Sequence, residues 1–147
     1  MEVMLLSDIK KGMEFPEYNY TLTEGIIGKY LKGVEESDPL YIDQDYAKRR
    51  GFSDLIVPPT TIALYVTPSR VLKTINKKPP SGLLQSGQRF AFYGPVRVNE
   101  TVNVRTFIED VYKKKNRDFV VLKGEAFDSN GNLVGSSCLT FIWPSQK

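Results

Sequence analysis

From Leu83 onward the hydrophobic period of this chain changes from helical to twofold, and that switch constrains the fold more than any other feature. Gln88–Tyr93 alternates, with Phe90 and Phe92 on one face, and Thr101–Val111 places Val102, Val104 and Ile108 together. Phe119–Phe127 and Asn132–Trp143 are longer strand runs, carrying Phe119, Val121 and Phe127 in the first and Leu133, Leu139, Phe141 and Trp143 in the second. Asp128-Ser129-Asn130-Gly131 joins them, and Asn-Gly is the strongest short hairpin signal because both residues tolerate positive φ. Four or more antiparallel strands follow.

The residues before the switch read as one short strand and several helices. Glu17–Tyr20 is the strand, and Thr21-Leu22-Thr23-Glu24 then forms a capping box in which the Thr21 hydroxyl accepts from the Glu24 N–H. Ile26, Ile27, Tyr30, Leu31 and Val34 fall on one helical face, and Asp38-Pro39 stops that helix. Asp43–Arg50 is a second helix closed by Gly51. Pro58-Pro59 opens a third, in which Ile62, Ala63, Tyr65 and Val66 are apolar nearly all round and therefore buried; Thr60 is the expected cap and Pro68 the limit. A long curved antiparallel sheet wrapped round one central helix satisfies this order, an α+β architecture. No linker or repeat divides residues 1–147, so one domain is expected, large enough to bury roughly 70% of its unfolded surface.

Composition excludes several chemistries. There is no histidine and only one cysteine, Cys138, which rules out an internal disulfide and imidazole metal ligation; no metal or cofactor is expected. Cys138 lies in a strand run and reads as a small packed hydrophobe. No signal peptide or spanning helix stands out, so the expected compartment is the cytoplasm, with no membrane partner. Net charge is +3, concentrated in Lys48-Arg49-Arg50 and in Lys113-Lys114-Lys115-Asn116-Arg117. The first fits a solvated helix face or an anionic ligand, the second a solvated hairpin tip; neither pattern marks a nucleic-acid partner. Phe90, Phe92, Phe107 and Phe119 read as core and interface packing.

Several segments, in order, resemble a known family: Asp38-Pro39-Leu40-Tyr41-Ile42-Asp43, Tyr46-Ala47, Gly51-Phe52, Val57-Pro58-Pro59-Thr60, Gly87-Gln88-Arg89-Phe90, Pro95-Val96-Arg97-Val98-Asn99-Glu100 and Asp128–Val134. Their order and spacing resemble MaoC-like (R)-specific enoyl-thioester hydratases and 3-hydroxyacyl-thioester dehydratases, which implies the hot-dog fold. Catalytic members carry Gly-Asp-x-Asn-Pro-x-His, whose Asp and His activate the water that adds across the enoyl double bond. Aligned on Pro39, those positions hold Glu36, Asp38 and Tyr41. Tyrosine titrates near 10, a poor match to neutral proton shuttling. Where catalytic members have His-Gly this chain has Pro58-Pro59, and Pro59 has no N–H to polarise a thioester carbonyl.

The Asp-Pro-Leu-Tyr and Pro-Pro-Thr variants resemble instead the non-catalytic N-terminal hot dog of FAS1-like double hot-dog dehydratases. That resemblance implies an accessory subunit binding an acyl-CoA or acyl-carrier-protein thioester, with Tyr41, Pro59 and Thr60 at the substrate and the acid/base groups on a catalytic MaoC-type partner. Two alternatives stand beside it: a self-sufficient hydratase using Glu36 and Tyr41, and a non-enzymatic acyl-CoA-binding self-dimer. The plain reading of Glu36 and Asp38 is a solvated acidic turn, and of Tyr41 a packed tyrosine with a satisfied hydroxyl.

Overall fold

The twofold run builds a five-stranded antiparallel sheet in a computed structural model that describes residues 1–145. In chain order the strands are β1 (Glu2–Val3), β2 (Tyr18–Thr21), β3 (Lys77–Lys78), β4 (Leu84–Phe92), β5 (Thr101–Lys114), β6 (Arg117–Phe127) and β7 (Leu133–Trp143). The main sheet runs β2-β5-β6-β7-β4, and β1 pairs in parallel with β3 as a separate two-stranded piece. Register shifts at Ile108/Asp110, Gln85/Gly87 and Ala126/Phe127 bend the long strands. One face carries Val102, Val104, Ile108, Val120, Leu122, Leu139 and Phe141, all buried.

That face wraps the central helix, a 3₁₀ turn at Pro59–Thr61 running into α4 (Ile62–Tyr65). Ile62, Tyr65 and Val66 are buried against the sheet. Gly124 makes the approach possible, because a Cβ there would lie 2.5 Å from Val66 Cγ1 and 2.8 Å from its Cγ2. The remaining helices, α1 (Glu24–Gly33), α2 (Pro39–Ile42), α3 (Gln44–Arg49) and α5 (Pro68–Lys73), pack around this unit.

Local details depart from the sequence reading where the sheet competes for residues. Thr21 is held in the ladder opposite Thr101, hydroxyl to hydroxyl at 2.7 Å, so it does not cap α1. Thr23 does, its hydroxyl accepting from Ile26 N at 3.2 Å. The helix also ends before Asp38-Pro39: Glu35 takes φ 55°, and Glu36 N donates to Leu31 O at 2.9 Å, closing a Schellman motif. On α1 only Ile27 and Leu31 are fully buried, and Val34 is 53% exposed.

Asp43 caps α3 and Gly51 follows it at φ 93°, as the sequence suggests. Asn130-Gly131 is not a two-residue hairpin turn. Asp128 and Asn132 close a longer loop, and only Gly131 has positive φ. The tight turn is Lys115-Asn116, both at positive φ, at the β5–β6 tip. None of Phe90, Phe92, Phe107 and Phe119 is fully buried, but Phe90 packs against the core and stacks on Phe92, and Phe119 stacks on Tyr112.

Candidate functional site

The N-terminal end of the central helix opens on a cleft of about 230 Å³. Pro59, Thr61, Ile62 and Tyr65 wall it from the helix side, and Phe92, Val96, Val134 and Gly135 from the sheet side. The two prolines place this end: Pro59 is the first residue of the 3₁₀ turn, and the Thr61 hydroxyl donates to Pro58 O at 2.7 Å. Thr61 therefore satisfies the turn, and Thr60 is not its cap. Gly135 keeps the sheet wall low, since a Cβ there would reach within 3.7 Å of Ile62 Cδ1 and 3.3 Å of Ala91 O.

Among the described residues every wall residue is uncharged, and the polar side chains there are Thr61 and Tyr65. Burial first, then the neighbouring Tyr18 and Tyr20, pushes the Tyr65 phenol well above its ordinary value, so it stays protonated. The cleft offers an apolar chain a place to lie and offers no base to remove a proton.

The acidic segment lies on the α1–α2 connection and is occupied with its own backbone. Glu36 Oε1 accepts from the N–H groups of Ser37 and Asp38, each at 3.0 Å. Asp38 Oδ1 accepts from Leu40 N at 2.9 Å and caps α2, whose first residue is Pro39. Tyr41, on α2, is half-buried against the core. Its hydroxyl is held above the ordinary tyrosine range by burial first, then by Asp38, Glu36 and Tyr30. Glu36, Asp38 and Tyr41 are thus neighbours, and none of them walls the cleft.

Of the sequence-stated binding residues, Pro59 lines the cleft. Thr60 is exposed beside it, and its hydroxyl meets the Tyr30 hydroxyl at 2.6 Å. That link ties α1 to the start of the central helix. It was hidden in the sequence because Tyr30 reads as one more apolar position of α1. Phe92 and Gly135 were also missed at this site, although an isolated glycine inside a strand run is a signal of close approach.

Cys138 is buried in β7, in keeping with its reading as a small packed residue, and it also makes polar contacts. Its thiol donates to Glu109 Oε2 at 3.0 Å, and Arg89 Nη2 lies 3.9 Å from the sulfur. Burial first, then the Glu109 carboxylate, pushes the thiol up to about 11, so it is no nucleophile at neutral pH. Among the described residues no helix is long and apolar enough to cross a membrane.

Comparison with known proteins places this geometry. A "UPF0336 protein" of Streptomyces griseus is 27% identical over 124 residues, covering 81% of each chain. The HadBC (3R-hydroxyacyl-ACP dehydratase) complex of Mycobacterium tuberculosis superposes with a TM-score of 0.79 at 22% identity, over 90% of this chain and 96% of that one. The (R)-hydratase of A. caviae involved in PHA biosynthesis gives 0.76 at 17% identity, over 92% of this chain and 98% of that one. Both structural likenesses identify the fold as the hot dog. The model of the FAS1-like dehydratase domain region matches residues 10–136, and the chain belongs to that family.

Proposed function

We propose that this chain is a single hot-dog domain serving as the accessory, acyl-thioester-binding subunit of a heteromeric (R)-specific enoyl-thioester hydratase or 3-hydroxyacyl-thioester dehydratase. The observation that carries the proposal is the cleft: apolar, open at the helix start, and walled by no carboxylate. An acyl chain fits such a wall, and hydration needs a base that this wall lacks. Pro59 adds to the case, because the first residue of the turn offers no N–H to a thioester carbonyl. The partner supplies the Asp and His. Such an assembly works in the cytoplasm.

The β4 edge supports a pairing. Its residues from Leu84 to Arg89 are all exposed, Leu84 59% and Phe92 47%, and Arg89 is its one charged residue. Edge strands without several charges or a proline are templates for another strand. A second hot dog seated there would extend the sheet and cover Phe92 beside the cleft.

The self-sufficient reading is weaker, since the Glu36 and Asp38 carboxylates accept from backbone N–H groups and the Tyr41 hydroxyl is pushed away from neutral pH. A self-dimer that binds acyl-CoA without chemistry shares the cleft and the edge. Co-expression with a hot-dog chain carrying Gly-Asp-x-Asn-Pro-x-His tests the assignment. Co-purification, with a changed rate or chain-length preference of the partner, supports the accessory subunit. Independent elution and an unaltered partner overturn it.

A further inference from the structure

Three consecutive cations, Lys48, Arg49 and Arg50, end α3, and all are exposed. Ion pairs among the described residues engage Lys11, Lys77, Arg97, Arg105, Lys113 and Lys123, and none engages these three. The two arginines neighbour an aromatic ring instead. Arg50 Nε and Nη2 donate to the Tyr46 hydroxyl at 3.2 and 2.8 Å, and the Arg50 and Arg49 guanidinium carbons lie 5.2 and 5.8 Å from the Tyr46 ring centroid. Two guanidinium groups gathered on one ring lose less rotamer freedom when they meet an anion, and each keeps donors for it.

The acidic residues of this segment do not answer that charge. Asp43 caps the other end of α3, accepting from Tyr46 N at 3.1 Å, and Asp45 sits in the first turn. Asp54 accepts from Gln44 Nε2 at 3.0 Å and from Leu55 N at 2.7 Å. Beyond Arg50 the chain turns at Gly51 and reaches Ile56 and Val57, which wall the cleft. A fully extended segment of that length spans at most about 22 Å, so the backbone of Arg50 lies no farther than that from Ile56 on the cleft wall. A pantetheine arm separates a thioester from its phosphate by a distance of that order.

We propose that Lys48, Arg49 and Arg50 bind the phosphate at the end of the phosphopantetheine arm that carries the acyl group. The proposal rests on the acyl-thioester reading of the cleft and adds the anionic half of the ligand. Phosphopantetheine is common to coenzyme A and to carrier proteins. Planar guanidinium pairs suit phosphate oxygens, and a compact ammonium adds charge beside them.

The test titrates the full chain with hexanoyl-pantetheine, hexanoyl-phosphopantetheine, hexanoyl-CoA and a hexanoyl carrier protein, at low and high salt. The K48Q/R49Q variant is compared, with Arg50 and its hold on Tyr46 left in place, and melting temperature serves as the folding control. The phosphorylated small ligands are expected to bind about tenfold tighter than hexanoyl-pantetheine, the scale of one charge-assisted hydrogen bond. High salt reduces that advantage, and K48Q/R49Q removes it with an unchanged melting temperature while hexanoyl-pantetheine binds as before. An advantage that survives in the variant overturns the proposal, as does one seen with CoA or the carrier protein and missing with phosphopantetheine. Failure of hexanoyl-pantetheine itself to bind the wild-type chain is a different result, and it removes the acyl-thioester reading of the cleft.

Discussion

Two glycines on the same concave sheet face meet the central helix at opposite ends, and they are used in opposite ways. Gly124 on β6 is filled by Val66, so tightly that a Cβ would fall 2.5 Å from Cγ1. Gly135 on β7 faces the helix start, and there the nearest helix atom to an added Cβ, Ile62 Cδ1, stands 3.7 Å away. The core under α5 keeps a void of about 20 Å³, against about 230 Å³ at the helix start. One end of the helix is spent on stability and the other is left open. An apolar cleft with few polar groups is the kind of surface a small ligand uses.

The largest effect is expected at the packed end. Gly124→Ala forces the Val66 side chain off its seat and costs about 1–3 kcal/mol, read as a fall in melting temperature. Adding Val66→Ala recovers part of that loss in a double-mutant cycle. A neutral Gly124→Ala breaks the contrast between the two ends.

A smaller loss is expected at Tyr18, whose hydroxyl donates to the Tyr65 carbonyl at the same packed end. Tyr18→Phe leaves that carbonyl unpaired and costs about 1 kcal/mol. Burial pushes the Tyr18 phenol up to about 12, above an unfolded value near 10. A raised folded value means the contribution is intact below pH ~10 and is lost as pH rises through about 12. Denaturation followed between neutrality and that range should show stability falling only in the alkaline arm, and less steeply in Tyr18→Phe.

At the open end the expectation reverses. Gly135→Ala changes stability by less than about 1 kcal/mol, because reduced unfolded-state freedom offsets the close contact with Ala91 O. It narrows the cleft and weakens acyl-ligand binding severalfold, measured by titration calorimetry. Unchanged affinity would detach the cleft from ligand binding. The smallest effect is at the surface link: Tyr30→Phe removes its exposed hydrogen bond to Thr60 and stays within about 0.5 kcal/mol.

What the sequence made legible was whatever depends on period and on proline. The alternation after Leu83 became the sheet, and Pro58-Pro59 marked the start of the central helix to within a residue. Caps were less legible, because two threonines precede Glu24 and only the β2–β5 ladder decides between them by holding Thr21. The end of α1 was hidden by Glu35, a residue with no obvious claim to positive φ. The site was half legible. Of the residues that stand out by resemblance, Pro59 lines the cleft while Tyr41 and Thr60 do not, and the cleft is built from residues far apart in sequence, such as Ile62 and Gly135, whose meeting is a tertiary fact. The burial of Cys138 was legible from its strand run, but nothing local announces that Glu109, two strands away in the β5-β6-β7 order, accepts a hydrogen bond from its thiol.

The central claim is that this chain holds an acyl thioester and leaves the proton transfer to another. Hydration of a short 2-enoyl-CoA by the purified chain, followed by loss of the conjugated thioester absorbance, tests it most directly. The account predicts no turnover above the buffer rate at any pH between 6 and 9, because the cleft wall has no base and Tyr41 is held protonated. Robust turnover by the isolated chain, lost on Glu36→Gln, would contradict it.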